Sequence, residues 1–131
     1  MSLESQVRQF NTTYGKPMSS KPRLPTKDEA ALLVDLLEEE LQELKDAIAA
    51  GDLVEISDAI TDIIYVAGQQ GTTLGLPIDS LLQEVQRSNL SKLGIDGKPI
   101  YREDGKVLKG PNFSEPQIAK VLMGELYDSL R

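Results

Sequence analysis

Apolar residues recur at helical spacing along most of the chain. Leu3, Val7, Phe10 and Tyr14 predict a short amphipathic helix over residues 3–14, stopped at Gly15. Lys16 to Pro25 is rich in proline and reads as an extended loop. Thr26-Lys-Asp-Glu29 has the form of a capping box and opens a helix to about Ala50, with Gly51 as the residue that ends it. Asp52 caps a third helix that continues to about Gly71. The interval between these two helices is so short that they should form an antiparallel hairpin. Pro77 starts a fourth helix that runs towards Lys92 and Gly94. The stretch Ile100 to Leu108 predicts a small β-hairpin turning at Asp104-Gly105. Ser114-Glu-Pro-Gln117 offers a last helix start, with Ile118, Val121, Leu122 and Leu126 as its apolar stripe. No repeat or low-complexity tract divides the chain, so one all-α domain is expected over residues 1–131.

Placing the two long helices on a wheel refines the picture. With Leu37 at zero, Ala30, Leu33, Val34, Leu41, Leu44 and Ile48 fall within roughly 60° and define the side expected to be buried. Asp35, Glu38, Gln42, Lys45 and Asp46 lie on the far side, as solvated residues should. Glu40 sits inside the apolar edge, with Glu43 and Glu39 beside it. On the next helix Leu53, Ile56, Ile60, Ile63, Ile64 and Ala67 cluster together, and Glu55, Asp58 and Asp62 form a contiguous arc next to them. In an antiparallel hairpin both acid arcs could converge on one cleft.

Composition sharpens this. The 131 residues carry 21 acids against 14 bases, a formal net charge of −7, with no His and no Cys. The absent residue types exclude the usual structural zinc site, disulfides and thiol or imidazole catalysis. The acidity argues against a nucleic-acid duplex as partner, because such binding rests on basic groups meeting phosphates. No apolar run reaches the roughly 20 residues of a membrane span. Met1-Ser-Leu-Glu-Ser-Gln lacks the form of a signal peptide, so a cytoplasmic address is expected. The acids are also uneven. From Asp28 to Asp62 there are 12 acids and one base, Lys45, and no Lys or Arg lies between Asp46 and Arg87. Carboxylates drawn together and partly withdrawn from water repel one another unless cations sit among them. Oxygen-only ligands point to Mg²⁺ or Mn²⁺.

Glu39-Glu40-Leu-Gln-Glu43, followed twelve residues after Glu43 by Glu55-Ile-Ser-Asp58, is an EExxE…ExxD arrangement. It resembles the all-α nucleoside triphosphate pyrophosphohydrolase superfamily of MazG-like proteins, dimeric dUTPases, dCTP pyrophosphatases and phosphoribosyl-ATP pyrophosphohydrolases. The stretches Asp58 to Val66, Glu84 to Lys92 and Asp96 to Asn112 look like the MazG-like branch with dUTPase-type members. The resemblance implies Glu40, Glu43, Glu55 and Asp58 as Mg²⁺ ligands, with Glu39 binding a further ion or orienting the attacking water. Two or three Mg²⁺ (or Mn²⁺ in their place) would hold the triphosphate, lower the pKa of a bound water and spread the developing charge. The products would be a nucleoside monophosphate and pyrophosphate, with dUTP or dCTP as favoured substrates in a house-cleaning role. Asp62 falls where many relatives have an acid four residues after ExxD, and it is placed with the substrate contacts. Gln86 departs from a His common in relatives.

Asn89 and Lys92 share one helix face and are candidates to meet the phosphates, while Lys106 and Lys109 could close over the substrate. The alternatives are a helix-dipole partner for Lys92 and a solvated loop for the other two. Phe10, Asn11 and Tyr14 could line a base pocket or belong to the core, and Tyr65, off the apolar stripe, could pack at a subunit contact. The short outer helices leave the long hairpin undercovered, so a four-helix core completed by a second copy is expected, as a homodimer or a tetramer. The competing reading is a non-catalytic acidic helical dimerisation module. A carboxylate di-iron bundle would need Glu-x-x-His pairs, which the chain lacks.

Overall fold

The computed structural model describes residues 1–129, with side chains through residue 124, and its architecture follows from the caps. It contains α1 (Leu3–Thr13), α2 (Lys27–Ala50), α3 (Leu53–Thr73), α4 (Ile78–Leu90) and α5 (Ile118–Ser129), with no strand among the described residues. The capping box at α2 is complete: Thr26 Oγ1 accepts the Glu29 N–H at 3.2 Å, and Glu29 Oε1 accepts the Thr26 N–H at 2.9 Å. Arg23 forks onto the same carboxylate at 2.7 and 2.8 Å, fixing where the preceding loop joins the helix. Gly51 ends α2 at φ 65°, a conformation that favours glycine, and Asp52 immediately caps α3 by accepting the Glu55 N–H at 3.1 Å. The long helices therefore reverse direction within two residues. Ala47 and Ala59 are the buried side chains between them, and their small size lets the two backbones approach.

α1 crosses α3 on another side. Val7 is fully buried there, a burial worth about 1.5–3 kcal/mol. A Cβ on Gly68 would sit 3.1 Å from the Leu3 side chain, so glycine sets the closeness of that crossing. The loop before α2 is pinned to the end of α3, with Ser19 N–H donating to the Thr73 carbonyl and Arg23 N–H to that of Leu74. α4 packs on α1 and α3; Asp79 Oδ1 accepts the Glu4 N–H at 3.2 Å and Glu4 Oε1 accepts the Asp79 N–H at 3.4 Å.

Three expectations are corrected. The side of α2 expected to be buried is largely open, with Val34, Leu41 and Ile48 at 51%, 46% and 60% exposure, and on α3 Leu53, Ile60 and Ile64 are exposed as well. The reason is that, among the described helices, α2 packs on α3 alone. The expected hairpin reduces to one antiparallel bridge, Tyr101 to Val107, around the turn at Gly105. Pro99 has no N–H to extend the ladder, and Gly110 N–H turns away to the Lys92 carbonyl at 2.8 Å. The last helix starts at Ile118 rather than near Ser114, because Ser114 is engaged with Ser91 and Glu84 of α4 accepts the Gln117 N–H at 2.7 Å. Leu126, expected on its stripe, lies outside the residues whose side chains are described. No described helix is long and apolar enough to cross a membrane.

Candidate active site

The α2–α3 hairpin brings carboxylates from both helices to one place. Glu40, Glu43 and Asp62 each offer an oxygen, and these atoms lie within 4.8 Å of one another, a grouping that could hold a metal ion. The Glu40 Oε2 atom is buried and has no hydrogen-bond partner. Burial, then Glu43 as hydrogen-bond partner and charge, then the charges of Asp62 and Asp58, push the Glu40 carboxyl up to about 6. Burial, then the charges of Asp58 and Glu43, raise Asp62 in the same direction. No basic group is among the causes at either residue. The donors are hard carboxylate oxygens with an unmet electrostatic demand, so the set fits a divalent cation such as Mg²⁺ or Mn²⁺. Glu55 stands nearer the turn, where it lines a cleft with Glu43, Asp46 and Asp52. Glu39 and Asp58 are exposed beside the cluster.

One turn beyond Asp62 on α3, Tyr65 meets α1. Its ring lies edge-on to Phe10 at 5.9 Å, and Phe10 lies against Tyr14 at 4.7 Å. These three rings, with Gln6, Gln9 and Thr13, line a cavity of about 280 Å³.

A family model described as phosphoribosyl-ATP pyrophosphohydrolase matches residues 7–89, which span α1, the carboxylate hairpin and nearly all of α4. The chain belongs to the phosphoribosyl-ATP pyrophosphohydrolase family. This bears out the resemblance to the MazG-like superfamily. An uncharacterised protein, L479, of Acanthamoeba polyphaga mimivirus is 30% identical over 127 residues, 94% of this chain and 48% of that protein, so the chain spans about half the length of that relative. A crystal structure of a candidate NTP pyrophosphohydrolase from Exiguobacterium sp. 255-15 is similar in fold, with a TM-score of 0.50 at 24% identity, covering 99% of this chain and 96% of that one.

The remaining expected contacts of this family member are placed less uniformly. Asn11 is wholly buried; its Nδ2 donates to Thr73 Oγ1 at 3.4 Å and its Oδ1 accepts from Gln69 at 3.2 Å. Its amide therefore registers α1 on α3 instead of facing the cavity. Phe10 and Tyr14 do line the cavity. Asn89 is exposed, and Lys92 is half-buried with its carbonyl holding Gly110. Lys109 lies 4.6 Å over the Phe113 ring, and Lys106 is exposed. None of the three lysines forms an ion pair among the described residues. Tyr65, Gln6 and Gln9 were not expected at a cavity. Helical spacing from Phe10 would have found Gln6, and spacing from Asp62 would have found Tyr65.

Proposed function

We propose that this chain hydrolyses nucleoside triphosphates to a nucleoside monophosphate and pyrophosphate. The observation that carries the proposal is the convergence of Glu40, Glu43 and Asp62, with a buried and unpartnered oxygen on Glu40. Family membership supports it. These three residues, with Glu55 and Asp58 close by on α3, would hold Mg²⁺ or Mn²⁺. The bound cation supplies neutralisation of phosphate charge and acidification of water.

The chain's own groups carry the rest. A water oxygen forms a bond to phosphorus at the anhydride between the α and β phosphates. The bridging P–O bond breaks, and its electron pair leaves with the departing phosphate group. Glu39, beside Glu40 on α2, orients that water and takes its proton. Phe10, Tyr14 and Tyr65 hold the base by stacking, and the neighbouring glutamine amides can both donate and accept at its edge.

The domain comprises the whole chain, and a second copy completes its core. The open positions Val34, Leu41 and Ile48 on α2 and Ile60 and Ile64 on α3 support that reading, since monomers seldom leave so much large apolar surface uncovered.

The test is pyrophosphate release from a panel of dUTP, dCTP and the common nucleoside triphosphates, with and without Mg²⁺. Glu43→Gln and Asp58→Asn should reduce release at least about 100-fold while retaining helicity. No release from any nucleotide by the wild-type protein would refute the function. Unchanged turnover in the two variants would refute the site.

A further inference from the structure

Beyond α4, residues 92–110 form an excursion that turns back on itself twice, and the two turns share one bonding pattern. In Gly94-Ile-Asp-Gly-Lys98 the Gly94 N–H donates to the Lys98 carbonyl at 2.8 Å and the Gly97 N–H to that of Gly94 at 2.9 Å, while the Lys98 N–H donates to Asp96 Oδ1 at 3.0 Å. The same three bonds recur in Arg102-Glu-Asp-Gly-Lys106. There the Arg102 N–H donates to the Lys106 carbonyl at 2.8 Å, the Gly105 N–H to that of Arg102 at 2.9 Å, and the Lys106 N–H to Asp104 Oδ1 at 3.1 Å. Gly97 and Gly105 both adopt a positive φ, 75° and 89°, and both face open space. Asp96 and Asp104 are both exposed.

An Asp-Gly step in an exposed turn can react with itself. The glycine main-chain nitrogen forms a bond to the carbon of the aspartate side-chain carboxyl. The carboxyl hydroxyl leaves with the proton of that nitrogen as water, and a cyclic succinimide remains. Water then opens the ring. Breaking the new C–N bond restores aspartate; breaking the original peptide bond gives isoaspartate, with one methylene more in the main chain. One water leaves and one returns, so no co-reactant is needed. Ring closure requires the neutral carboxylic acid, because an ionised carboxylate would have to expel oxide. Glycine favours the attack, having no side chain to shield its nitrogen.

The twin turns differ in what holds the carboxyl. Arg102 forks onto Asp104, its Nε donating to Oδ1 at 2.9 Å and its Nη2 to Oδ2. This fork, then the Lys106 N–H, holds the Asp104 carboxyl below its ordinary value and so keeps it ionised. The equivalent of Arg102 in the first turn is Gly94, which has no side chain with which to do the same. Among the described residues Asp96 forms no ion pair.

We infer that Asp96-Gly97 is a site of isoaspartate formation in the folded chain, and that Arg102 protects Asp104-Gly105 from the same reaction. The added methylene falls inside the ring closed between Gly94 and Lys98, so the first turn loses its closure when it forms.

The test is ageing of the wild-type protein at pH 7.4 and 37 °C in ¹⁸O-enriched water, where each ring opening leaves one heavy oxygen in the chain. Digestion in ordinary water with a protease that cuts after glutamate separates the two turns at Glu103. The peptide ending at Glu103 should gain label several-fold faster than the one beginning at Asp104, and fragmentation should place isoaspartate at residue 96. In Arg102→Gln, labelling at Asp104 should rise to the level of Asp96. In guanidinium-unfolded wild type the two should label alike. Equal labelling in the folded wild type, label confined to Asp104, or no label at either would overturn the inference. A difference that persists in the unfolded chain, or an unchanged Asp104 in Arg102→Gln, would overturn the protective role of Arg102. None of these readouts depends on nucleotide hydrolysis.

Discussion

Replacing Glu40 by Gln should make the metal-free protein more stable while removing its response to metal. In the folded chain the Glu40 carboxyl is pushed from 4.5 up to about 6 by burial and by its acidic neighbours. Its ionised form is therefore disfavoured by folding. The folded state holds the proton more tightly, so the contribution to stability is greatest below about pH 4.5, falls as pH rises towards 6, and is lowest and level above that. A shift of that size corresponds to about 2 kcal/mol, and to about 1 kcal/mol after allowing for solvent screening of a half-buried group. Glutamine keeps the shape without the charge. For a chain of this size a gain of about 1 kcal/mol is worth about 4 °C in Tm. Thermal melts followed by circular dichroism in chelator at pH 7.5 should show this increase for Glu40→Gln, and at pH 4.5 the two proteins should converge. Added Mg²⁺ should raise the Tm of the wild type, by mass action on the folded state, and leave the variant nearly unmoved. If Glu40→Gln melts below the wild type in chelator at pH 7.5, the account of a repelled carboxylate with a buried, unpartnered oxygen is wrong.

Two further outcomes follow from named contacts. Asn11→Ala should cost about 1–3 kcal/mol in a denaturant titration, because the groups of buried Thr73 and half-buried Gln69 would lose their partner, and it should leave KM for nucleotide unchanged; a large KM effect would return Asn11 to the base pocket. In Gly110→Ala the new Cβ would overlap the Leu93 carbonyl oxygen, so the 92–110 excursion should lose its anchor and become sensitive to limited proteolysis, while helicity of α2 and α3 is retained. Unaltered cleavage of that segment would show that the anchor is not needed.

Much of the fold could be read locally because local chemistry determines it. The Thr26 capping box, the Gly51 stop and the Asp52 cap set the long hairpin to within a residue or two, and each acts through neighbours in sequence. The start of α5 could not be read that way, since the group that accepts the Gln117 N–H is Glu84 on another helix. The apolar wheel of α2 did not give the side that packs: Ala47 is its buried side chain while Val34, Leu41 and Ile48 stay exposed, because burial depends on what packs there, and among the described helices only α3 packs on α2. At the site, Glu40 and Glu43 stood out by their position at the apolar edge. The place of Asp62 was set by distance from the turn. It lies ten residues beyond Asp52, while Glu43 and Glu40 lie eight and eleven before Gly51, so an antiparallel pair puts these three level and leaves Glu55 near the bend. Asn11 could not be told from a pocket residue, because its partners lie some sixty residues away on α3.

The two-residue reversal at Gly51 and Asp52 also has a kinetic consequence. Glu40 and Asp62 are only 22 residues apart in sequence, and the contacts that align them lie within a single helical hairpin. Contacts of such short range close early and at little loop entropy. The carboxylates should therefore find one another, with their mutual repulsion, before α5 docks on α4. A cation arriving at that stage would favour the hairpin itself, making the metal an agent of assembly as well as of chemistry.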